Sequence, residues 1–199
     1  MIKVFTCDQG SEEWIKLRTG IPTSSEFDNI ITAKGGISKS REKYLYKIAA
    51  ERITKTSEET YQSDAMAKGK LMEAEARNYY TFAKKIKVTQ VGFILQEHPG
   101  YGCSPDGICG KPGALEIKCP LGSTHARYLD YNKLPIDYYV QVQGQLLVMG
   151  KEWCDFISYF PGMKPLIVRV KPNKMFQYKL KKALEIFCTD LDRLVKRIK

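Results

Sequence analysis

The chain has only two histidines, His98 and His125, among its 199 residues. With so few, a catalytic site built on histidine is hard to assemble. Its six cysteines (Cys7, Cys103, Cys109, Cys119, Cys154 and Cys188) never fall in C-x-x-C spacing. That argues against a zinc knuckle or ribbon and against a cysteine-held iron–sulfur cluster. They are expected to be reduced thiols at core and strand positions. No run approaches the ~18 consecutive apolar residues of a membrane span. The opening residues MIKVFTCDQGSEEW lack the apolar stretch and cleavage site of a secretory leader. A basic, cytoplasmic, globular protein with no membrane association is expected. There is no G-x-x-x-x-G-K-[ST] loop, which argues against ATP-driven work within this chain. Internal repeats, low-complexity tracts and linkers are absent too, so one domain over residues 1–199 is expected.

What is present is core-forming material and positive charge. Hydrophobic residues make up 43% of the chain and aromatics 11%, enough for a sizeable core, which excludes global disorder. Lys and Arg number 32 against 22 Asp and Glu, a formal charge of +10. On a chain this small, such an excess points to a polyanionic partner, nucleic acid or an anionic surface.

Patterning suggests alternating helices and strands. A short helix over Glu12–Thr19 starts after Ser11 and stops at Gly20; a second, from about Ser24 to Ile31, follows a Thr23/Glu26 capping box. A Gly- and Lys-rich loop, Lys34–Ser40, leads into a helix over Arg41–Ile53. The longest helical pattern of the first half runs from Ser63 to about Ala83, with Met66, Leu71 or Met72, Tyr79 and Phe82 as its apolar positions. Strands are expected over Lys87–Leu95, around Gly102–Ser104 and over Ala114–Cys119, the last two joined by the turn-rich DGICGKPG. A helix over Pro135–Met149 precedes strands at Trp153–Phe160 and Leu166–Val170. The tail from Asn173 keeps a 3.6-residue apolar period through Leu180, Leu184, Phe187, Leu191 and Ile198; its Lys179, Lys181, Lys182, Lys196, Arg197 and Lys199 are expected on the solvated face. The order implies an α/β fold with a mixed central sheet flanked by helices.

The stretch that carries chemistry is Cys103-Ser-Pro-Asp106-Gly followed by Glu116-Ile-Lys118. Residues two apart on a strand face one side, so Glu116 and Lys118 project together while Leu115 and Ile117 point the other way. Gly107, Gly110, Pro112 and Gly113 let the chain reverse and bring Asp106 opposite the start of the second strand. Two carboxylates and an ammonium then converge. Carboxylate oxygens suit Mg²⁺, and one or two such ions can polarise a phosphodiester and activate bound water. Lys118 would orient that water or stabilise charge on the phosphorane. Tyr138, Gln141 and Gln145, at i, i+3 and i+7, form one polar stripe on an otherwise apolar helix, either solvent-facing or turned to a site. Arg18 at the end of one short helix and Ser25 in the first turn of the next can make a phosphate site, with Lys34 and Lys39 in the loop nearby.

Pro105-Asp106 with Glu116-Ile117-Lys118 resembles the PD-(D/E)xK nuclease signature. The longer blocks Gly10-Ser-Glu-Glu-Trp14-Ile-Lys-Leu-Arg18-Thr-Gly20-Ile, Thr23-Ser-Ser25-Glu26, Gly69-Lys70-x-x-Glu73-x-x-Ala76-Arg77, Ser104-Pro-Asp-Gly107, Leu115-Glu-Ile-Lys-Cys-Pro120 and Tyr138-x-x-Gln141-Val-Gln143 resemble, in order, the phage lambda-type exonucleases of the YqaJ-like viral recombinase family. That resemblance implies a restriction-endonuclease-like core. It implies Mg²⁺-dependent (Mn²⁺ substituting) 5′-to-3′ degradation of one strand of linear double-stranded DNA to mononucleotides, leaving a 3′ single strand. Carried to this sequence, Asp106, Glu116 and the Ile117 carbonyl become ligands of two ions, Glu73 an added carboxylate reached through water, Lys118 the catalytic lysine and Gln141 an active-site residue with Tyr138 close by. Arg18 and Ser25 receive the 5′-phosphate, and Met66 is either a wedge against the end base pair or a core residue. A homotrimeric ring and a phage single-strand annealing protein as partner are implied as well. The alternatives are an endonuclease or Cas4-like nuclease on the same fold, and a catalytically inert DNA-binding module.

Overall fold

A computed structural model describes residues 1–57 and 64–199, including the side chains of all of these except 64–70. Met66 and the Gly69-Lys70 pair therefore lie outside the described side chains, and Ser63 outside the described residues. Among the described residues, no helix is long and apolar enough to cross a membrane, and the six cysteines stand as separate thiols.

The strands form two sheets. One is antiparallel, in the order β1 (Ile2–Phe5), β2 (Phe93–Gln96), β3 (Tyr101–Cys103). The other is mixed, in the order β4 (Gly107–Cys109), β5 (Gly113–Lys118), β6 (Trp153–Ser158), β7 (Leu166–Val170), with only β5 and β6 parallel. Helices α1 (Glu12–Arg18), α2 (Arg41–Thr54), α3 (Asp64–Lys84), α4 (Gly122–Tyr131), α5 (Tyr139–Met149) and α6 (Lys174–Ile198) pack around them. The fold is α/β and of restriction-endonuclease-like type, as expected, but its strands are shared between two sheets.

Three strand assignments change. The N-terminal residues pair with β2 as a strand. The partner of β5 is not the segment around Gly102–Ser104, which pairs with β2; it is β4, inside the stretch expected to be turn alone. The expected Lys87–Leu95 strand begins only at Phe93 and runs to Gln96, with Thr89 reduced to an isolated bridge to Ile108. Short strands rich in glycine hold their place through neighbours rather than propensity, which explains their weak signal. Helix α4 likewise lacked a helical signal, and Pro135–Tyr138 is an N-cap and a short 3₁₀ turn leading into α5.

Helix α3 also buries a different face. Ala76 and Tyr80 are buried against Leu115 and Ile117 of β5, whereas Leu71, Tyr79 and Phe82 are exposed. A small residue lets helix and sheet approach, and Tyr80 places its hydroxyl on Asp155 at 2.7 Å. Asp155 is held in turn by a bidentate pair with Arg169, both bonds at 2.8 Å. The expected face of α6 is the buried one, through Leu180, Leu184, Phe187, Leu191 and Leu194; Ile198, in the last turn, is exposed. This helix packs with α2 and the 3₁₀ helix Ser24–Asn29 in the largest apolar cluster. Gly144 of α5 allows a close approach at that junction, since a Cβ there would stand 2.6 Å from the Phe27 ring and 3.3 Å from Ser24 Cβ.

Candidate active site

Strand β4 is shorter than β5 and pairs only with Gly113–Leu115. Beyond it, Asp106 continues the antiparallel register opposite Glu116, not opposite the start of β5. Asp106 Oδ2 accepts the Ile117 N–H at 2.6 Å, so a side chain replaces the missing strand partner. Its backbone is clamped on both sides. Gln9 Nε2 donates to the Pro105 carbonyl at 2.9 Å, and Arg77 Nε to the Asp106 carbonyl at 3.3 Å.

Glu116 is buried, 1% exposed, and both of its oxygens are engaged. Oε1 accepts from Gln141 Nε2 at 2.6 Å and from Lys118 Nζ at 2.7 Å. Oε2 accepts from Gln145 Nε2 at 2.6 Å. The polar stripe of α5 therefore faces the site. Tyr138 lies under Lys118, whose ammonium is 5.2 Å from the ring centroid, and stacks on Phe156. Gln143 belongs elsewhere: it donates to the Lys171 carbonyl and accepts from Asn173 N–H, anchoring the start of α6.

Burial, and then the charge of Glu116, push the Asp106 carboxyl well above its ordinary range; Glu73 adds to the push, while Lys118 and the Ile117 N–H oppose it. Glu73 is thus placed within electrostatic reach of Asp106. Burial would lower the Lys118 ammonium, but the carboxylates of Glu116 and Asp106 outweigh it and hold the group protonated above its usual value. Burial and the Tyr128 contact raise the Tyr138 phenol to about 12.

The donor set fits a hard divalent cation. Asp106 and Glu116 repel each other and would be relieved by one. Among the described residues no three His, Cys, Asp or Glu side chains stand together as ready ligands. Two carboxylates alone would leave the rest of an ion's shell to backbone oxygen and water, which suits an ion that keeps several waters. The Ile117 carbonyl is a fitting third donor. The Lys118 carbonyl accepts from Tyr159 on the β6 side, and successive backbone groups alternate, so Ile117 directs its own N–H and C=O towards Asp106.

A second cluster adjoins the first. Arg18 Nη1 donates to Ser104 Oγ at 3.2 Å and Nη2 to Thr23 Oγ1 at 3.3 Å, with the guanidinium carbon 4.1 Å over the Trp14 ring. Trp14 Nε1 also donates to Ser104 Oγ, at 3.0 Å, and Thr23 Oγ1 lies 3.2 Å from Ser25 Oγ. The expected capping box does not form. Thr23 spends its hydroxyl on this cluster, and Glu26 pairs with Lys47. Ser104 and Asp106 are two residues apart, which keeps their Cα atoms within about 7 Å. Lys34 is exposed on its loop.

Sequence reasoning left Gln145 without a role, read Thr23 only as an N-cap, and gave Ser104, Trp14, Gln9 and Arg77 no place in the site. The signal for Gln145 was its place on the stripe, and for Ser104 its adjacency to Pro105-Asp106. Gln9 carried none. His125 is buried between Ser158 Oγ at 2.7 Å and the Lys164 carbonyl at 3.0 Å, a structural position.

Carboxylates and a lysine on the end of a mixed-sheet strand, with helices packed around, define the core type shared by restriction-endonuclease-like nucleases. The chain belongs to the YqaJ-like viral recombinase domain family, whose model matches residues 13–152. It is similar to the alkaline exonuclease LHK-Exo from Laribacter hongkongensis, at 30% identity and a TM-score of 0.84, covering 94% of this chain and 96% of that one. The structure of that enzyme in complex with dAMP gives 30% identity and 0.85, covering 95% and 96%. A phage-related exonuclease from Haemophilus somnus 129PT, 12% identical with a TM-score of 0.68 over 90% of this chain and 96% of that one, shares the fold. An uncharacterised protein of Acanthamoeba polyphaga mimivirus is 26% identical over 172 residues, 78% of this chain; the chain spans about 30% of that relative's length.

Proposed function

We propose that this chain is a Mg²⁺-dependent exonuclease that degrades one strand of linear double-stranded DNA from its 5′ end. It would release mononucleotides and leave a 3′ single strand for recombination by annealing. The observation that carries the reading is the adjacency of two clusters: a carboxylate–lysine set at Asp106, Glu116 and Lys118, and a guanidinium–hydroxyl set at Arg18, Thr23, Ser25 and Ser104. With a terminal 5′-phosphate held by the second set, the next phosphodiester falls to the first.

Asp106, Glu116 and the Ile117 carbonyl would hold two Mg²⁺ ions, or Mn²⁺ in their place, with Glu73 reaching them through water. When bound, the ions polarise the phosphodiester and lower the pKa of bound water. Lys118, kept as an ammonium by Glu116 and Asp106, orients the attacking water or offsets charge on the phosphorane. Water adds to phosphorus, the bond to the 3′-oxygen of the first nucleotide breaks, and that oxygen takes up a proton. Gln141 fixes Glu116, and Tyr138 supports Lys118 from below. Lys34 would meet the duplex backbone. The family resemblance also supports a homotrimeric ring, a phage single-strand annealing protein as partner and action in the host cytoplasm.

The test is digestion of end-labelled linear duplex, carrying a 5′-phosphate or a 5′-hydroxyl, beside covalently closed circles, with Mg²⁺ or EDTA. Mononucleotide release from phosphorylated linear DNA, abolished by EDTA and by Lys118→Ala, is expected. Cleavage of closed circles would make the protein an endonuclease, and no cleavage at all would make it a binding module.

A further inference from the structure

Gln145 is completely buried on α5, and both polar atoms of its side chain are engaged. Its Nε2 donates to Glu116 Oε2 at 2.6 Å, and its Oε1 accepts from the Cys154 thiol on β6 at 3.8 Å. The amide presents its NH₂ to Glu116, and the Cys154 thiol meets its carbonyl end. The two oxygens of Glu116 are therefore unequal. Oε2 lies on the interior side, under Gln145. Oε1 instead meets two partly exposed donors, Gln141 and Lys118, the latter with its side chain 28% exposed.

We propose that Gln145 restricts Glu116 to one metal-binding oxygen and thereby biases the site towards Mg²⁺ over Ca²⁺. The inference rests on the metal-dependent reading above. Mg²⁺ demands near-ideal octahedral geometry with one oxygen per ligand position, whereas Ca²⁺ takes more oxygens and accepts both from one carboxylate. Turning Oε2 outward to meet an ion would break the Gln145 bond and leave a buried N–H unpaired, an arrangement folded proteins avoid. Gln145 is a positioning residue: it acts through Glu116.

The experiment is titration of the purified full chain with MgCl₂ and with CaCl₂, read by calorimetry and by the metal-induced shift in melting temperature. The variants are Gln145→Met, which keeps the volume and removes the donor; Cys154→Ala, which releases the amide; and Gln143→Met, a buried glutamine of the same helix outside the site. Loss of a group that orients a metal ligand typically costs 10- to 100-fold in affinity. Gln145→Met is expected to weaken Mg²⁺ by about that factor and Ca²⁺ far less, moving the Mg²⁺/Ca²⁺ ratio at least tenfold. Cys154→Ala should move it in the same direction, and Gln143→Met should lower the melting temperature with the ratio unchanged. Equal weakening of both ions, or an unmoved ratio, overturns the inference alone. If Gln145→Met does not fold, Cys154→Ala decides by the same criterion. A wild-type chain that binds neither ion overturns the metal reading and this inference together.

Discussion

If the proposed function holds, removal of Arg18 should separate end recognition from chemistry. Its guanidinium is held by Ser104 Oγ, Thr23 Oγ1 and the Trp14 face, at 3.2, 3.3 and 4.1 Å. A hydrogen bond to a charged group contributes about 1.5–3 kcal/mol. Arg18→Ala should therefore lower kcat/KM on 5′-phosphorylated ends by about 10- to 150-fold while leaving 5′-hydroxyl ends almost unchanged. Arg18→Lys keeps the charge but loses the fork and the indole contact, and should recover only part of the preference. The described contacts that the variant loses are one cation–π pair of about 0.5–1 kcal/mol and two hydrogen bonds from a charged donor, about 1.5–3 kcal/mol each. Trp14 still binds Ser104 in the variant, and a thermal melt checks its integrity. The assay is steady-state mononucleotide release from two duplexes that differ only in the 5′ group. A folded Arg18→Ala protein that loses the same factor on both ends would refute the phosphate role.

Replacement of Lys118 by Ala should reduce kcat by about 10²–10³-fold, the scale for losing one preorganised charge-stabilising group. DNA binding in a salt titration should remain, and Asp106→Ala and Glu116→Ala should bring cleavage to background. Mg²⁺ at 100 times its Kd should stabilise the chain by about 2.7 kcal/mol, a rise in Tm of about 5–10 °C, abolished by EDTA and by Asp106→Asn. Gly144→Ala places a methyl against Phe27 and Ser24 and should cost about 1–3 kcal/mol in urea unfolding. Because the 3₁₀ helix that would shift carries Ser25, the same variant should also weaken the preference for 5′-phosphate ends.

The Glu116–Lys118 pair was legible because its geometry is local. Alternation along one strand puts Glu116 and Lys118 on one face whatever the rest of the chain does, and their 2.7 Å pair follows. Helix α1 was legible through its Ser11 start and Gly20 stop, and α6 through its apolar period, for the same reason. The long helix α3 was found, but its buried face was misread. Periodicity marks which residues share a face, while the choice between faces depends on what packs there, and β5 accepts Ala76 and Tyr80 rather than the larger Leu71 and Phe82.

By itself, then, the sequence determined the fold class, the hairpin-borne carboxylates and lysine, the glutamine stripe and the pairing of Arg18 with the start of the next helix. The tertiary structure decided that the stripe faces Glu116, that β4 ends early so that Asp106 caps Ile117, and that Ser104 brings the Arg18 cluster beside the carboxylates. Gln9 holds the Pro105 carbonyl and Arg77 the Asp106 carbonyl from 96 and 29 residues away in sequence. Such contacts leave no trace in spacing or periodicity, because they depend on where two sheets and a helix meet rather than on any repeat along the chain.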